Sequence, residues 1–177
     1  MSTPTLATEI EALTGVNPAT CYQCGKCSAG CPMASESDLR PHQVMRSVVY
    51  SPRERALQSE SIWLCAACET CSVRCPNGCH PAEVIDALRE IGHREGVAVK
   101  PKAIGAFHKT FLDQVRTNGR LYEMGLLMGF KLRSGALMAD VDSGPGMLSR
   151  GKMPLRPHRI QGVAEIRRIF DKCGVTP

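Results

Sequence analysis

No long apolar run occurs anywhere in these 177 residues; the longest, around Leu126–Phe130, falls far short of the roughly 18 residues that suggest a membrane span. The start of the chain lacks a basic patch leading into an apolar core, and Glu9 and Glu11 stand where a secretory leader needs one. Together these absences predict a soluble, cytoplasmic protein. Period-two alternation of apolar and polar residues is almost wholly missing, so no sheet is expected. A glycine-rich dinucleotide fingerprint is missing too: "SGPG", from Ser143, is not one and follows no strand. The length suits one domain, or a small domain plus an extension, and leaves little room for a large catalytic cavity.

What the chain has in excess is cysteine, ten in all. In a reducing compartment clustered cysteines are mostly metal ligands or redox groups. Two strings hold eight of them, "CYQCGKCSAGCP" from Cys21 and "CAACETCSVRCP" from Cys65, and these form the only internal repeat. Each reads C-x2-C-x2-C-x3-C and ends in proline. Four thiolates can hold zinc, and the C-x2-C pairs alone would fit a zinc ribbon. Zinc sites, however, usually pair two ligands from one turn with two from a distant one, whereas the complete run is that of bacterial ferredoxins holding [4Fe–4S] clusters. Two such clusters are expected.

In two-cluster ferredoxins the fourth cysteine of each run serves the other cluster. Carried over, Cys21, Cys24, Cys27 and Cys75 hold cluster one, and Cys65, Cys68, Cys71 and Cys31 hold cluster two; local ligation, four from each run, is the alternative. Either way thiolate occupies every position and no iron is open to substrate, which points to electron transfer rather than bond chemistry. Gly25 and Gly30 either let amides approach cluster sulfur or simply make tight turns. Cys79 and Cys173, outside the runs, are expected to be buried thiols. His80 has no ligand role once eight thiolates are available, and Trp63 is expected to pack where it keeps water from a cluster.

The remaining sequence reads as helices. Thr3-Pro4 has the form of a helix start leading to Leu6, Ile10 and Leu13 and a stop at Gly15. Val44, Met45, Val48 and Val49 mark a helix from Pro41, and Ser51-Pro52-Arg53-Glu54 resembles a capping box opening another. Pro81 starts a segment with Val84, Ile85, Leu88 and Ile91 on one face and Gly96 placed to end it. Further helices are expected through Ile104, Phe107, Leu112 and Val115 up to Gly119, through Leu121, Met124 and Met128, and around Val163–Phe170. Ser134–Pro157, rich in Gly and Pro, reads as irregular chain. The organisation expected is an N-terminal helix (1–16), a cluster-bearing domain (17–96) and a basic extension (97–177).

The net charge of +5 is unevenly spread: residues 97–177 hold fourteen bases against six acids, while 39–96 balance seven against seven. A basic excess raises nucleic-acid binding as an alternative. Each oxidised cluster with its four thiolates adds about two negative charges, so the loaded protein is near neutral. The tail is better read as a docking surface for an acidic partner protein. No C-x-x-C lies outside the two runs, and no charged partner can be named for Cys79 or Cys173, which argues against a disulfide-active enzyme.

"CYQCGKCSAGCP", "IWLCAACETCSVRCP", "PAEVIDALREIGHREG" and the basic "FHKTFLDQVRTNGRLYEMGL" together resemble the C subunit of heterodisulfide reductase, the small two-cluster electron carrier of that enzyme family. The resemblance implies a mainly α, helical ferredoxin fold with two [4Fe–4S] clusters and a cytoplasmic electron-transfer role without catalysis of its own. It also implies two heterodisulfide reductase-like partners, one a flavin-containing iron–sulfur protein, the other a protein whose CCG repeats perform disulfide chemistry. This chain has no CCG repeat. Iron–sulfur subunits of dicarboxylate oxidoreductases share the pattern but add a plant-type C-x4-C-x2-C run, absent here, and glycerol-phosphate or 2-hydroxy-acid oxidoreductases often fuse it to CCG repeats.

Overall fold

In the computed structural model, which describes residues 5–139, 142, 144–151, 154 and 156–174, the elements are helices, and no strand occurs among the described residues. The chain divides into two units, Met1–Pro101 and Lys102–Pro177.

The first unit opens with α1 (Leu6–Thr14), whose cap is Thr5: its Oγ1 accepts from the Thr8 amide at 3.3 Å. The expected start at Thr3-Pro4 lies outside the described residues. Gly15, at φ 74, closes the helix by donating to the Glu11 carbonyl. Two long helices follow later in the chain, α3 (Pro41–Tyr50) and α7 (Pro81–Arg94). Between them lie α4 (Arg53–Leu57) and α5 (Ser61–Leu64), and two four-residue helices, α2 (Lys26–Ala29) and α6 (Thr70–Val73), sit inside the cysteine runs. The Ser51 capping box does not form. Pro52 takes the cap position without a side-chain bond, and the Ser51 amide instead closes α3 on Ser47.

Helical periodicity brings Leu6 and Ile10 of α1, Val44, Met45 and Val48 of α3, and Val84, Ile85, Leu88 and Ile91 of α7 into one buried core. At roughly 1.5–3 kcal/mol for each large apolar side chain removed from water, this core fixes the three helices relative to one another. Gly96 (φ 69) ends α7: its amide bonds the His93 carbonyl, and the next amide, of Val97, bonds that of Gly92 at 2.8 Å. That is a Schellman motif, and its hydrophobic partner Val97 packs against the first unit's core. Trp63 also packs on this core, its ring edge over Gly92.

In the second unit α8 (Lys102–Asn118) packs on α9 (Glu123–Ser134) and on α11 (Val163–Lys172). Gly129 makes the first contact close, since a Cβ there would lie 2.6 Å from the Thr110 methyl. Thr110 is buried, yet its hydroxyl donates to the Ala106 carbonyl and accepts from Arg133 at 2.8 Å, so nothing polar is stranded. Gly119 (φ 77) ends α8 as expected, in contact with the Ile160 side chain. Within the stretch expected to be irregular, Gly144–Ser149 forms a short helix, α10.

Candidate metal centres

The two cysteine runs build the same loop twice. Each opens on an extended cysteine, Cys21 (φ −68, ψ 121) and Cys65 (φ −58, ψ 122). Two residues on, Gln23 (φ 61) and Ala67 (φ 49) enter the left-handed region, and two further on Gly25 (φ 76) and Glu69 (φ 59) do so again. α2 and α6 follow, and the fourth cysteine's amide turns back to a serine carbonyl, Cys31 to Ser28 at 3.3 Å and Cys75 to Ser72 at 3.2 Å. Each non-glycine residue in that region costs roughly 1–2 kcal/mol, which the surroundings must offset. Gly25 thus serves the turn. Gly30 has a different reason: a Cβ there would strike the Arg74 side chain.

The same two serines then cap the long helices. Ser28 Oγ accepts from the His42 amide at 3.1 Å and Ser72 Oγ from the Ala82 amide at 3.4 Å, each at the second residue of a helix opened by proline. A helix N-terminus has free amides and a positive dipole end, both suited to a nearby anion. Each cysteine loop is thereby fastened to the start of a core helix.

Two cavities result. One is lined by Cys21, Cys24, Cys27 and Cys75, with Tyr22, His42, Asn77, Cys79 and Pro81 among the other walls. The second is lined by Cys65, Cys68, Cys71 and Cys31, with Met33, Leu39, Val44 and Ile85 supplying an apolar wall. Three thiols of each run therefore share a cavity with the fourth thiol of the other run. Adjacent residues at each helix start divide between the cavities: His42 and Pro81 face the first, Pro41 and Ala82 the second. Cys27, Cys71 and Ala82 form a small buried group of their own.

This donor set fits an iron–sulfur cube, which takes one thiolate at each of four corners. Among the described residues no three His, Cys, Asp or Glu side chains approach closely enough to hold a single metal ion. Burial pushes the Cys71 thiol up to about 11 and raises that of Cys27, so a bare thiolate is costly at either position, a cost that a bound iron would offset. Sulfur also receives donors from the chain, with the Cys79 amide 3.3 Å from Cys75 Sγ and Gln23 Nε2 3.3 Å from Cys21 Sγ. His80 pairs with Glu83 at 3.2 Å and lines neither cavity; Cys79 is buried and Cys173, against expectation, exposed.

Three positioning residues had no local signal in the sequence. Asn77 accepts from the Tyr22 hydroxyl at 2.7 Å and donates to the Thr20 carbonyl, tying the second run's end to the first run's start. Arg89 of α7 donates to the carbonyls of Ile62 and Cys65, holding the entry to the second run. Asp38 accepts from Ser61 Oγ, from Ser59 Oγ at 2.8 Å, and from the amides of Ser61 at 2.9 Å and Glu60 at 3.2 Å. Burial would raise its pKa, but these donors win and hold it below the ordinary aspartate value.

A depressed carboxylate stabilises the fold above its unfolded pKa of about 3.9, and that contribution is lost only as pH falls through the lower folded value. Asp38→Ala is therefore expected to lower stability by about 1–2 kcal/mol, the range for a partly exposed, multiply bonded cap. Anaerobic urea unfolding should give the same deficit at pH 5 and pH 7.5. A deficit that shrinks across that interval would contradict the depressed pKa.

A family model described as a 4Fe-4S dicluster domain matches residues 20–80. The C subunit of the ferredoxin:CoB-CoM heterodisulfide reductase of Methanosarcina acetivorans is 39% identical over 83 residues, 47% of this chain and 33% of that protein. The iron-sulfur C2 subunit of the CoB–CoM heterodisulfide reductase of Methanocaldococcus jannaschii is 31% identical over 115 residues, 64% of this chain and 61% of its own length. The C subunit of the ferredoxin:CoB-CoM heterodisulfide reductase of Methanosarcina mazei is 30% identical over 118 residues, 63% of this chain and 72% of its own. This chain thus spans between a third and three quarters of these relatives. Among the described residues no helix is long and apolar enough to cross a membrane. With its helical fold, its paired four-thiol cavities and these relatives, the chain belongs to the family of heterodisulfide reductase C subunits and binds two [4Fe–4S] clusters.

Proposed function

We propose that this chain is the electron-carrying subunit of a cytoplasmic heterodisulfide reductase-type complex, standing between a flavin-containing iron–sulfur protein and a CCG-repeat protein that performs the disulfide chemistry. The observation that carries this reading is the pair of adjacent cavities, each with thiols for all four corners of a cube. Cys21, Cys24, Cys27 and Cys75 are assigned to one cluster, and Cys65, Cys68, Cys71 and Cys31 to the other. When bound, each cluster supplies a one-electron carrier with no iron open to substrate.

The chain's own residues make that carrier specific. Leu39, Val44 and Ile85 keep water from the second cavity, while the amides and the Gln23 side chain donate to sulfur around the first. Such burial and donors set reduction potential in clusters of this type. The residues from Lys102 onward serve docking. Helix α9 buries none of its residues, exposes Met128 and Leu132, and has Lys131 in its last turn, while Arg133 there is paired with Asp113. An apolar stripe edged with positive charge suits an acidic protein surface, with electrostatics speeding encounter.

An anaerobic pull-down at rising salt tests this reading. The full chain is expected to retain a flavoprotein and a CCG-repeat protein at low ionic strength, to release them as salt rises, and to retain no DNA. Retention of DNA with neither protein would overturn it.

A further inference from the structure

The two cavities differ in one respect that the repeated loops do not explain. The second is lined by four cysteines, the first by five: Cys79 stands among Cys21, Cys24, Cys27 and Cys75. Its side chain is only 1% exposed, so it is interior to the wall. Its amide donates to Cys75 Sγ at 3.3 Å, which fixes the two residues as neighbours across the Pro76–Gly78 turn. Its own sulfur contacts the Thr20 hydroxyl at 3.5 Å and Asn77 Nδ2 at 3.9 Å, weak partners that a thiol gives up at little cost. The turn between them contains Gly78 at φ 60, where the backbone is freest to adjust. The equivalent position of the first run is Ser35, and it does not line the second cavity.

We propose that Cys79 is a reserve ligand of cluster one, able to take the iron corner otherwise held by Cys75. This role rests on the crossed assignment of Cys75 to that cluster. In the exchange the bond from iron to Cys75 Sγ would break as the bond to Cys79 Sγ forms, the Cys79 thiol proton passing to the released Cys75 thiolate, or to water where residue 75 is alanine; no electron is transferred. Cluster one thus tolerates loss of its fourth ligand and cluster two does not.

The test compares anaerobically reconstituted Cys75→Ala, Cys75→Ser, Cys75→Ala with Cys79→Ala, and Cys31→Ala, by iron content and by the paramagnetic spectrum after reduction. Cys75→Ala is expected to keep about eight irons with the cluster-one signal present but shifted, whereas the double variant and Cys31→Ala each fall to about four. Cys75→Ser should give the same spectrum as Cys75→Ala, because the Cys79 thiol outcompetes the serine oxygen for iron; a distinct oxygen-ligated signal would count against the reserve role. Should Cys75→Ala prove insoluble, Cys75→Gly with and without Cys79→Ala makes the same comparison. Loss of four irons in Cys75→Ala alone, with the cluster-one signal gone and the cluster-two signal kept, would overturn the reserve role while leaving the crossing intact. Retention in the double variant would overturn it as well. A change confined to the cluster-two signal in Cys75→Ala would instead refute the ligand assignment beneath it.

Discussion

Replacing Cys71 by alanine is expected to leave about four irons per chain instead of about eight and to lower the stability of the first unit by more than about 3 kcal/mol. Cys71 is buried beside Cys27 and Ala82, at the seam between the cavities, and no spare thiol lines the second cavity. The local structure it serves cannot stand alone: α6 has four residues, far fewer than an isolated helix needs, and it follows Glu69 in a left-handed conformation. Cluster binding is therefore folding energy for this loop. Iron analysis and anaerobic denaturant unfolding check both parts. A variant that keeps its full iron would mean that Cys71 is not a ligand.

Removing residues 102–177 is expected to act in the opposite way, leaving both clusters and weakening partner association by about tenfold or more. The first unit has its own core of α1, α3 and α7, and all eight run cysteines lie within it. The second unit has separate packing, in which Gly129 meets Thr110 and Arg116 pairs with Asp171 at 2.7 Å. Eight irons with lost binding would support division of labour between the units; loss of iron would show that the C-terminal residues belong to the cluster-bearing fold.

What the sequence made legible was whatever is written in local periodicity. The core faces of α3 and α7 were readable from their apolar spacing, and the helix stops at Gly15, Gly96 and Gly119 from the glycine that a left-handed residue favours. The cysteine runs named the cofactor because their spacing is itself the binding geometry. Illegible were the contacts between distant segments. Asp38 binds residues 59–61, Arg89 holds the carbonyls of Ile62 and Cys65, and Ser28 and Ser72 cap helices more than a turn of chain away. None has a partner within reach of a pattern search. Glu69 was hidden differently: propensity gives no reason for a left-handed glutamate, and only its alignment with Gly25 in the other run reveals the shared turn. The Ser51 box failed because the competing demand, closing α3, claimed its amide.

The central claim is that the runs exchange their fourth cysteines, which makes the two loops one folding unit rather than two separate beads. The most direct measurement is the paramagnetic spectrum of the reduced protein in Cys75→Ser, set beside Cys21→Ser and Cys65→Ser. Crossed ligation predicts that Cys75→Ser and Cys21→Ser alter the same signal and spare the other. If Cys75→Ser instead alters the signal that Cys65→Ser alters, each run holds its own cluster and the crossing is wrong.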